Sequence, residues 1–92
     1  MDPPTYTGEG EAILAEEWLE AIERIYQSIQ MSEDDLRMAT VPFYLSGRAA
    51  RWWTAQEKMR LAEAHALRLS EAVPVTWEQF RTLFLEEFFP LT

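Results

Sequence analysis

Apolar residues recur every three or four positions in the first third of the chain. The stripe they form consists of Leu14, Trp18, Ile22, Ile25 and Ile29, widened by Leu19 and Tyr26. This spacing keeps the apolar side chains on one face of an α-helix, while the glutamates between them fall largely outside that face. The pattern predicts a first helix from about Glu11 to Gln30.

A second helical segment is indicated after Ser32, whose hydroxyl can cap a helix that has acidic residues in its first turn. Pro42 interrupts this segment, because proline lacks an N–H and its ring collides with the carbonyl four residues earlier. We expect a break near Val41 and a short helical turn that resumes as far as Leu45. The segment should end at Gly47, where glycine can adopt a positive φ.

A third helix is predicted from about Arg48 to Leu69, in a segment rich in strong helix formers. Its apolar positions repeat at helical spacing and are Trp52, Ala55, Met59, Ala62, Ala66 and Leu69. Residues 70–75, which include a proline, should form a loop.

The fourth helix has the clearest start signal in the chain. Thr76 and Gln79 have the spacing of a capping box, in which each side chain bonds the backbone N–H of the other residue. An apolar stripe follows, and Pro90 should stop the helix. The stripe consists of Trp77, Phe80, Phe84 and Phe88, widened by Leu83.

These elements predict an all-α fold, a small four-helix bundle that has five helices if the proline divides the second one. Residues 1–10 contain two prolines and two glycines, which favours an extended N-terminal arm over a helix. Within the arm, residues 4–7 could pair as a strand with another segment. We therefore expect an arm over residues 1–10 and a single helical domain over residues 11–92.

Composition excludes several classes of function. The chain has 92 residues, a net charge of −8 and no cysteine, which rules out disulfides and cysteine-ligated zinc. A strongly acidic domain repels phosphates, so we expect no direct binding of nucleic acid. A basic cluster formed by Arg48, Arg51, Lys58 and Arg60 leaves two interpretations open, a nucleic-acid contact and a solvated helix face.

No constellation of catalytic or cofactor-binding residues is evident. His65 is the single histidine and should be an exposed polar residue, and the carboxylates fall on solvated helix faces. No glycine-rich phosphate loop and no membrane-spanning apolar stretch is present, and the N-terminus lacks the features of a signal peptide. We expect no enzymatic activity, cofactor, metal or membrane partner, and a cytoplasmic location.

Twelve aromatic rings are more than a domain of this size can easily hide. Trp52 and Trp53 are adjacent, and adjacent side chains on a helix point about 100° apart, so both cannot face one core. The pairs Phe43–Tyr44 and Phe88–Phe89 pose the same problem. Some rings should therefore be exposed, and exposed apolar surface of this kind is typical of protein-binding sites.

Four motifs in this order resemble the Gag capsid domain of Ty3/gypsy-type retrotransposons. They are the PTYTG of residues 4–8, the WLEAIE of residues 18–23, the LSGRAARWW of residues 45–53, and the segment from 76 to 90 that begins TWEQF and ends FFP. Each motif is weak alone, but the set spans nearly the whole chain. One departure is the segment between Trp53 and Trp77, which is longer and more helical than is usual in the family.

The resemblance implies a capsid N-terminal lobe that makes protein–protein contacts and assembles into a shell as a homo-oligomer of its full-length parent. The long segment before Trp77 could alter or block such a contact. The alternative is a domesticated adaptor, similar to the N-lobe of the neuronal protein Arc, which binds short partner peptides in a hydrophobic groove beside the arm. The residues that would line this groove are Tyr6, Trp18, Ile25, Tyr44 and Phe84. The expected core is Leu19, Ile22, Leu45, Ala49, Trp53, Trp77 and Phe80.

Overall fold

The computed structural model describes residues 4–70 and 73–90. Residues 1–3 of the predicted arm, 71–72 of the predicted loop and 91–92 of the predicted helical domain lie outside this range. The helices are α1 (Ala12–Ser28), α2 (Asp34–Thr40), α3 (Gly47–Ala66) and α4 (Trp77–Phe88), and a 3₁₀ turn at Val41–Tyr44 follows α2. The prediction of a small all-α fold is confirmed.

Local chemistry explains where the shorter elements begin and end. The 3₁₀ turn replaces α2 at Val41, with Pro42 in its first turn, so the predicted break is found. The capping box of α4 is also found: the Thr76 hydroxyl accepts the Gln79 N–H at 3.1 Å, and the Gln79 side chain accepts the Thr76 N–H at 3.0 Å. The predicted cap at Ser32 is wrong, because Glu33 holds the N-cap position of α2 and makes no side-chain cap.

Two helices end earlier than the sequence predicts. α1 ends at Ser28 and α3 ends at Ala66, because Gln30 and Arg68 adopt positive φ values of 58° and 61°. After α3 the Leu69 N–H bonds the Ala64 carbonyl at 2.8 Å, and the equivalent bond follows α1. This is the Schellman geometry, in which a left-handed residue folds the chain back over the last helical turn.

The core is built around the aromatic stripe of α4. Trp77, Phe80, Phe84 and Phe88 are all buried, and successive rings lie 5.1 to 5.8 Å apart. All seven expected core residues are buried: Trp77 and Phe80 in this stripe, and Leu19, Ile22, Leu45, Ala49 and Trp53 on neighbouring elements. Such rings attract one another in tilted and edge-to-face arrangements beyond the effect of burial.

The predicted stripes of α1 and α3 are partly wrong. Leu14 and Ile29 are exposed, so the buried face of α1 is narrower than its periodicity suggests; it consists of Ala15, Trp18, Leu19, Ile22 and Tyr26. On α3 the buried residues are Ala49, Trp53 and Ala64, whereas Trp52 is half-buried and the other predicted stripe residues are exposed. Alanines lie on every face of α3, so its apolar pattern identifies a helix without identifying the inner face.

Phe80 should be the costliest single residue to truncate in this core. Its side chain is 0% exposed and its ring lies 5.2 Å from Trp53 and 5.1 Å from Trp77. Phe80→Ala should lower the free energy of unfolding by about 3–5 kcal/mol, through lost burial and the cavity that remains. Urea denaturation followed by tryptophan fluorescence measures this.

The matched control is Phe43→Ala, because Phe43 is 78% exposed. It should change the free energy of unfolding by no more than about 0.5 kcal/mol. Equal losses in the two variants would show that the α4 stripe is not the centre of the core.

Candidate functional site

The N-terminal arm is joined to the helical body by backbone hydrogen bonds. The Tyr6 N–H donates to the Tyr44 carbonyl at 2.9 Å, and the Ser46 N–H donates to the Tyr6 carbonyl at 2.9 Å, which makes a parallel bridge between Tyr6 and Leu45. The Ala49 N–H, in the first turn of α3, donates to the Thr7 carbonyl at 2.9 Å. The arm therefore satisfies one of the N–H groups that the start of a helix leaves unpaired.

Side chains also hold the arm against the helical body. The Tyr6 ring lies 5.8 Å from Trp18 of α1 and 5.3 Å from both Phe84 and Phe88 of α4. The Trp18 indole N–H donates to the Pro4 carbonyl at 2.9 Å. Tyr6 is therefore part of the core that joins α1 to α4, rather than an appendage to it.

Gly8 allows the arm to pass close to α3 and α4. Its φ is +89°, and a Cβ at this position would lie 3.0 Å from a ring carbon of Phe88 and 3.1 Å from the Ala49 nitrogen. Arg48 covers the turn, because its guanidinium donates to the Gly8 carbonyl at 3.1 Å and lies 5.3 Å from the Phe88 ring centre. Only glycine combines this φ with so close a backbone approach.

The five predicted groove residues do not share one open surface. Tyr6, Trp18 and Phe84 lie together but are buried against one another, and the arm covers them. Tyr44 is half-buried beside the arm. Ile25 is also half-buried but lies seven residues beyond Trp18, about 10 Å further along α1. Whether these side chains bind a partner stays a prediction.

An open groove of about 360 Å³ lies between the arm and α1. Tyr6 and Trp18 contribute to it, but the sequence argument missed its other lining residues: Pro4, Thr5, Thr7, Glu9, Leu14, Glu17 and Ala21. Leu14 is the one sequence feature that could have indicated this groove. It is an apolar residue at the edge of the α1 stripe, and its side chain faces the arm instead of the core. We call this surface the arm groove.

A larger groove of about 680 Å³ lies between α2, α3 and the segment that precedes α4. Its apolar floor includes Met38, Trp53 and Val75, and three carboxylates and one guanidinium line it: those of Asp34, Asp35, Glu57 and Arg60. We call this surface the α2–α3 groove. Sequence periodicity gave no sign of it, because its walls come from three separate segments.

Burial shifts the pKa of two tyrosines in the structure. Burial raises the pKa of the Tyr6 hydroxyl, and the nearby Arg48 partly opposes this shift. Burial likewise raises the pKa of Tyr26, and the 2.9 Å hydrogen bond between its hydroxyl and that of Thr40 partly opposes this shift. Raised tyrosine pKa values keep both rings neutral and disfavour the folded state only at strongly alkaline pH.

The basic cluster of the sequence is divided between different surfaces. Arg48 holds the arm, Arg60 lines the α2–α3 groove, and Arg51 and Lys58 are exposed on α3. Within residues 4–70 and 73–90, no three histidine or acidic side chains are grouped so as to hold a metal ion. None of the helices there is long and apolar enough to cross a membrane.

Comparison with protein families identifies this arrangement of arm and helices. Residues 1–89 match the family described as the retrotransposon-derived protein PEG10, N-terminal capsid-like domain. The chain belongs to this family. No curated protein and no solved structure matches the chain.

Membership shows that the chain is a capsid-like domain derived from retrotransposon Gag, as the motifs predicted. The family is structural rather than catalytic. The arm, the bundle and the two grooves are therefore features of a capsid-like domain, and the grooves are the surfaces on which its function can be sought.

Substitution of Gly8 should detach the arm of this capsid-like domain. Gly8→Ala places a methyl group against the Ala49 backbone in a conformation that L-residues avoid, which should cost about 1 kcal/mol or more. The expected result is faster hydrogen exchange at the Ser46 and Ala49 amides, which donate to arm carbonyls. Native-state hydrogen exchange by NMR measures this directly.

Gly10→Ala is the matched control, because Gly10 has the same φ of +89° but its Cβ would meet only the Leu14 side chain. Protection at Ser46 and Ala49 should persist in this variant. Equal loss of protection in both variants would show that φ strain alone, and not the close approach at Gly8, controls the arm.

Proposed function

We propose that this capsid-like domain is an assembly module of a Ty3/gypsy-type Gag protein, and that it contributes protein–protein contacts to a shell. The observation that carries the proposal is apolar surface that remains outside a complete core. The core is formed by other side chains, and no buried side-chain nitrogen or oxygen among the described residues lacks a partner. Phe43, Leu67 and Val73 are nevertheless more than 60% exposed.

The distribution of this surface favours several weak contacts over one strong contact. The exposed large apolar residues occur on the 3₁₀ turn and on or beside α1, α2 and α3; they are Ile13, Leu14, Ile29, Leu36, Phe43, Met59, Leu61, Leu67, Leu69 and Val73. No continuous face collects them all. Many weak, repeated contacts can close a lattice, because each further contact is made at a high effective concentration.

The net charge and the packing of the bundle support two further parts of the proposal, that the partners are proteins and that the domain acts as one rigid unit. The net charge of −8 disfavours direct contact with nucleic acid, so the partners would be protein copies in a cytoplasmic particle. The helical bundle would act as a rigid unit, because the aromatic core and the anchored arm leave little freedom between its elements.

Assembly predicts a steep dependence of particle mass on concentration. The product of the complete reading frame should scatter light in excess of the monomer once its concentration exceeds a threshold, and electron microscopy should then show closed particles. Weak contacts with dissociation constants of about 1 mM each suffice when many act together. A product that stays monomeric up to millimolar concentration would overturn the proposal.

A second candidate function is peptide binding, and the arm groove favours it. Tyr6 uses its own N–H and C=O to bond the helical body, whereas the Thr5 backbone makes no hydrogen bond among the described residues. An extended peptide could pair with this edge of the arm and place an apolar side chain beside Leu14. Glu9 and Glu17 at the groove would favour a peptide that also carries a basic residue.

Leu14→Glu should abolish such binding in a peptide-array screen, because it places a charge in the arm groove. Ile13→Glu is the matched control: Ile13 is 43% exposed, Leu14 is 45% exposed, and only Leu14 lines the groove. The control should retain binding. Phe84→Ala is unsuitable here, because Phe84 is fully buried and its truncation would destabilise the whole domain rather than test the groove alone. Peptides that bind both glutamate variants equally well would remove the arm groove from consideration.

A further inference from the structure

One side of α3 presents two cations that form no salt bridge among the described residues, with small residues between them. Arg51, Ala55 and Lys58 are spaced by four and three positions, so they share one stripe of the helix, and all three are exposed. Thr54 lies beside them, with its hydroxyl bonded to the Ala50 carbonyl at 3.0 Å. The two salt bridges among the described residues use other arginines. We call the surface of Arg51, Thr54, Ala55 and Lys58 the outer α3 face.

The α2–α3 groove has the opposite character. Asp34, Asp35 and Glu57 contribute three negative charges and Arg60 contributes one positive charge, so the lining has a net charge of −2. The three carboxylate residues are all exposed, whereas on the apolar floor Met38 and Val75 are half-buried and Trp53 is buried. An apolar floor with an acidic rim suits a partner that has cations on either side of a small, uncharged centre.

The two surfaces lie on nearly opposite sides of the same helix. Trp53, on the floor of the groove, and Arg51, on the outer face, are two positions apart, which corresponds to about 200° around the helix axis. A contact between them therefore joins two different surfaces on two copies. Such a head-to-tail contact leaves one unused surface at each end and repeats until a ring closes or a filament grows.

We propose that the outer α3 face of one chain docks into the α2–α3 groove of the next copy. Arg51 and Lys58 pair with carboxylates of the rim, and Thr54 and Ala55, being small, let the helix approach the apolar floor closely. This proposal rests on the assembly function proposed above and names the contact that would carry it.

The overall charge of −8 does not prevent this contact at physiological ionic strength. Charges separated by more than about 8 Å are then largely screened, so the few pairs at the contact outweigh the repulsion between whole molecules. Added salt should weaken a contact made by such pairs. Salt should instead strengthen an association that was limited by net repulsion, which separates the two cases.

Charge reversal on either surface tests the contact. In sedimentation velocity across a concentration series, Lys58→Glu and Glu57→Lys should each weaken self-association roughly tenfold, because each replaces attraction with repulsion. The double variant, Glu57→Lys with Lys58→Glu, has the composition of the original chain and should regain self-association. An equimolar mixture of the two single variants should also associate, since every contact between them pairs opposite charges.

Arg24→Glu and Glu20→Lys are the matched controls, because both residues are exposed on α1 and the changes alter net charge by the same amounts. Both should associate like the original chain. Circular dichroism and urea denaturation verify that all variants fold. Association that survives both single reversals, or that the controls weaken equally, overturns this contact and leaves the assembly function standing. If neither this chain nor the product of the complete reading frame self-associates at any concentration tested, the assembly function itself is overturned.

Discussion

The burial of the Tyr6 ring between α1 and α4 is the interaction on which the rest of this domain depends. The ring contacts Trp18 on one side and Phe84 and Phe88 on the other, and its backbone bridges to Leu45 at the entry to α3. One residue of the arm thus joins three segments that are far apart in sequence. A domain of this size buries only about 60% of the surface of its unfolded chain, less than a larger domain does, so a buried ring contributed by the arm adds to a thin core.

This interaction also decides what the surface can do. Because the arm packs over Trp18 and Phe84, both rings are buried, and the open surface beside Trp18 lies along the arm and Leu14. The α2–α3 groove remains open on another side of the bundle. Both grooves carry acidic residues around apolar ones, so each favours a partner with basic side chains. Charge is unevenly distributed over the surface, because Arg51 and Lys58 form a basic surface on a molecule whose net charge is −8.

Left-handed residues at the ends of α1 and α3 shape these surfaces too. Gln30 and Arg68 fold the chain back over the last helical turns, and the second of these turns covers Ala64 and leads to the segment that walls the α2–α3 groove. Neither position is glycine, so the backbone accepts a cost of about 1–2 kcal/mol at each. The hydrogen bonds and contacts of the Schellman geometry offset this cost.

Sequence by itself determined the all-α class, the four helices, the break at Pro42, the capping box before Trp77 and the family to which the chain belongs. These features depend on caps, prolines and periodicities that act within a few residues. Tertiary structure alone decided that Leu14 and Ile29 are exposed, that the Trp52 ring as well as the Trp53 ring packs against the aromatic stripe of α4, and that Tyr6 is buried. It also placed the walls of both grooves. The physical reason is that each of these outcomes rests on contacts between side chains tens of residues apart, and an alanine-rich helix can satisfy a local pattern in more than one orientation.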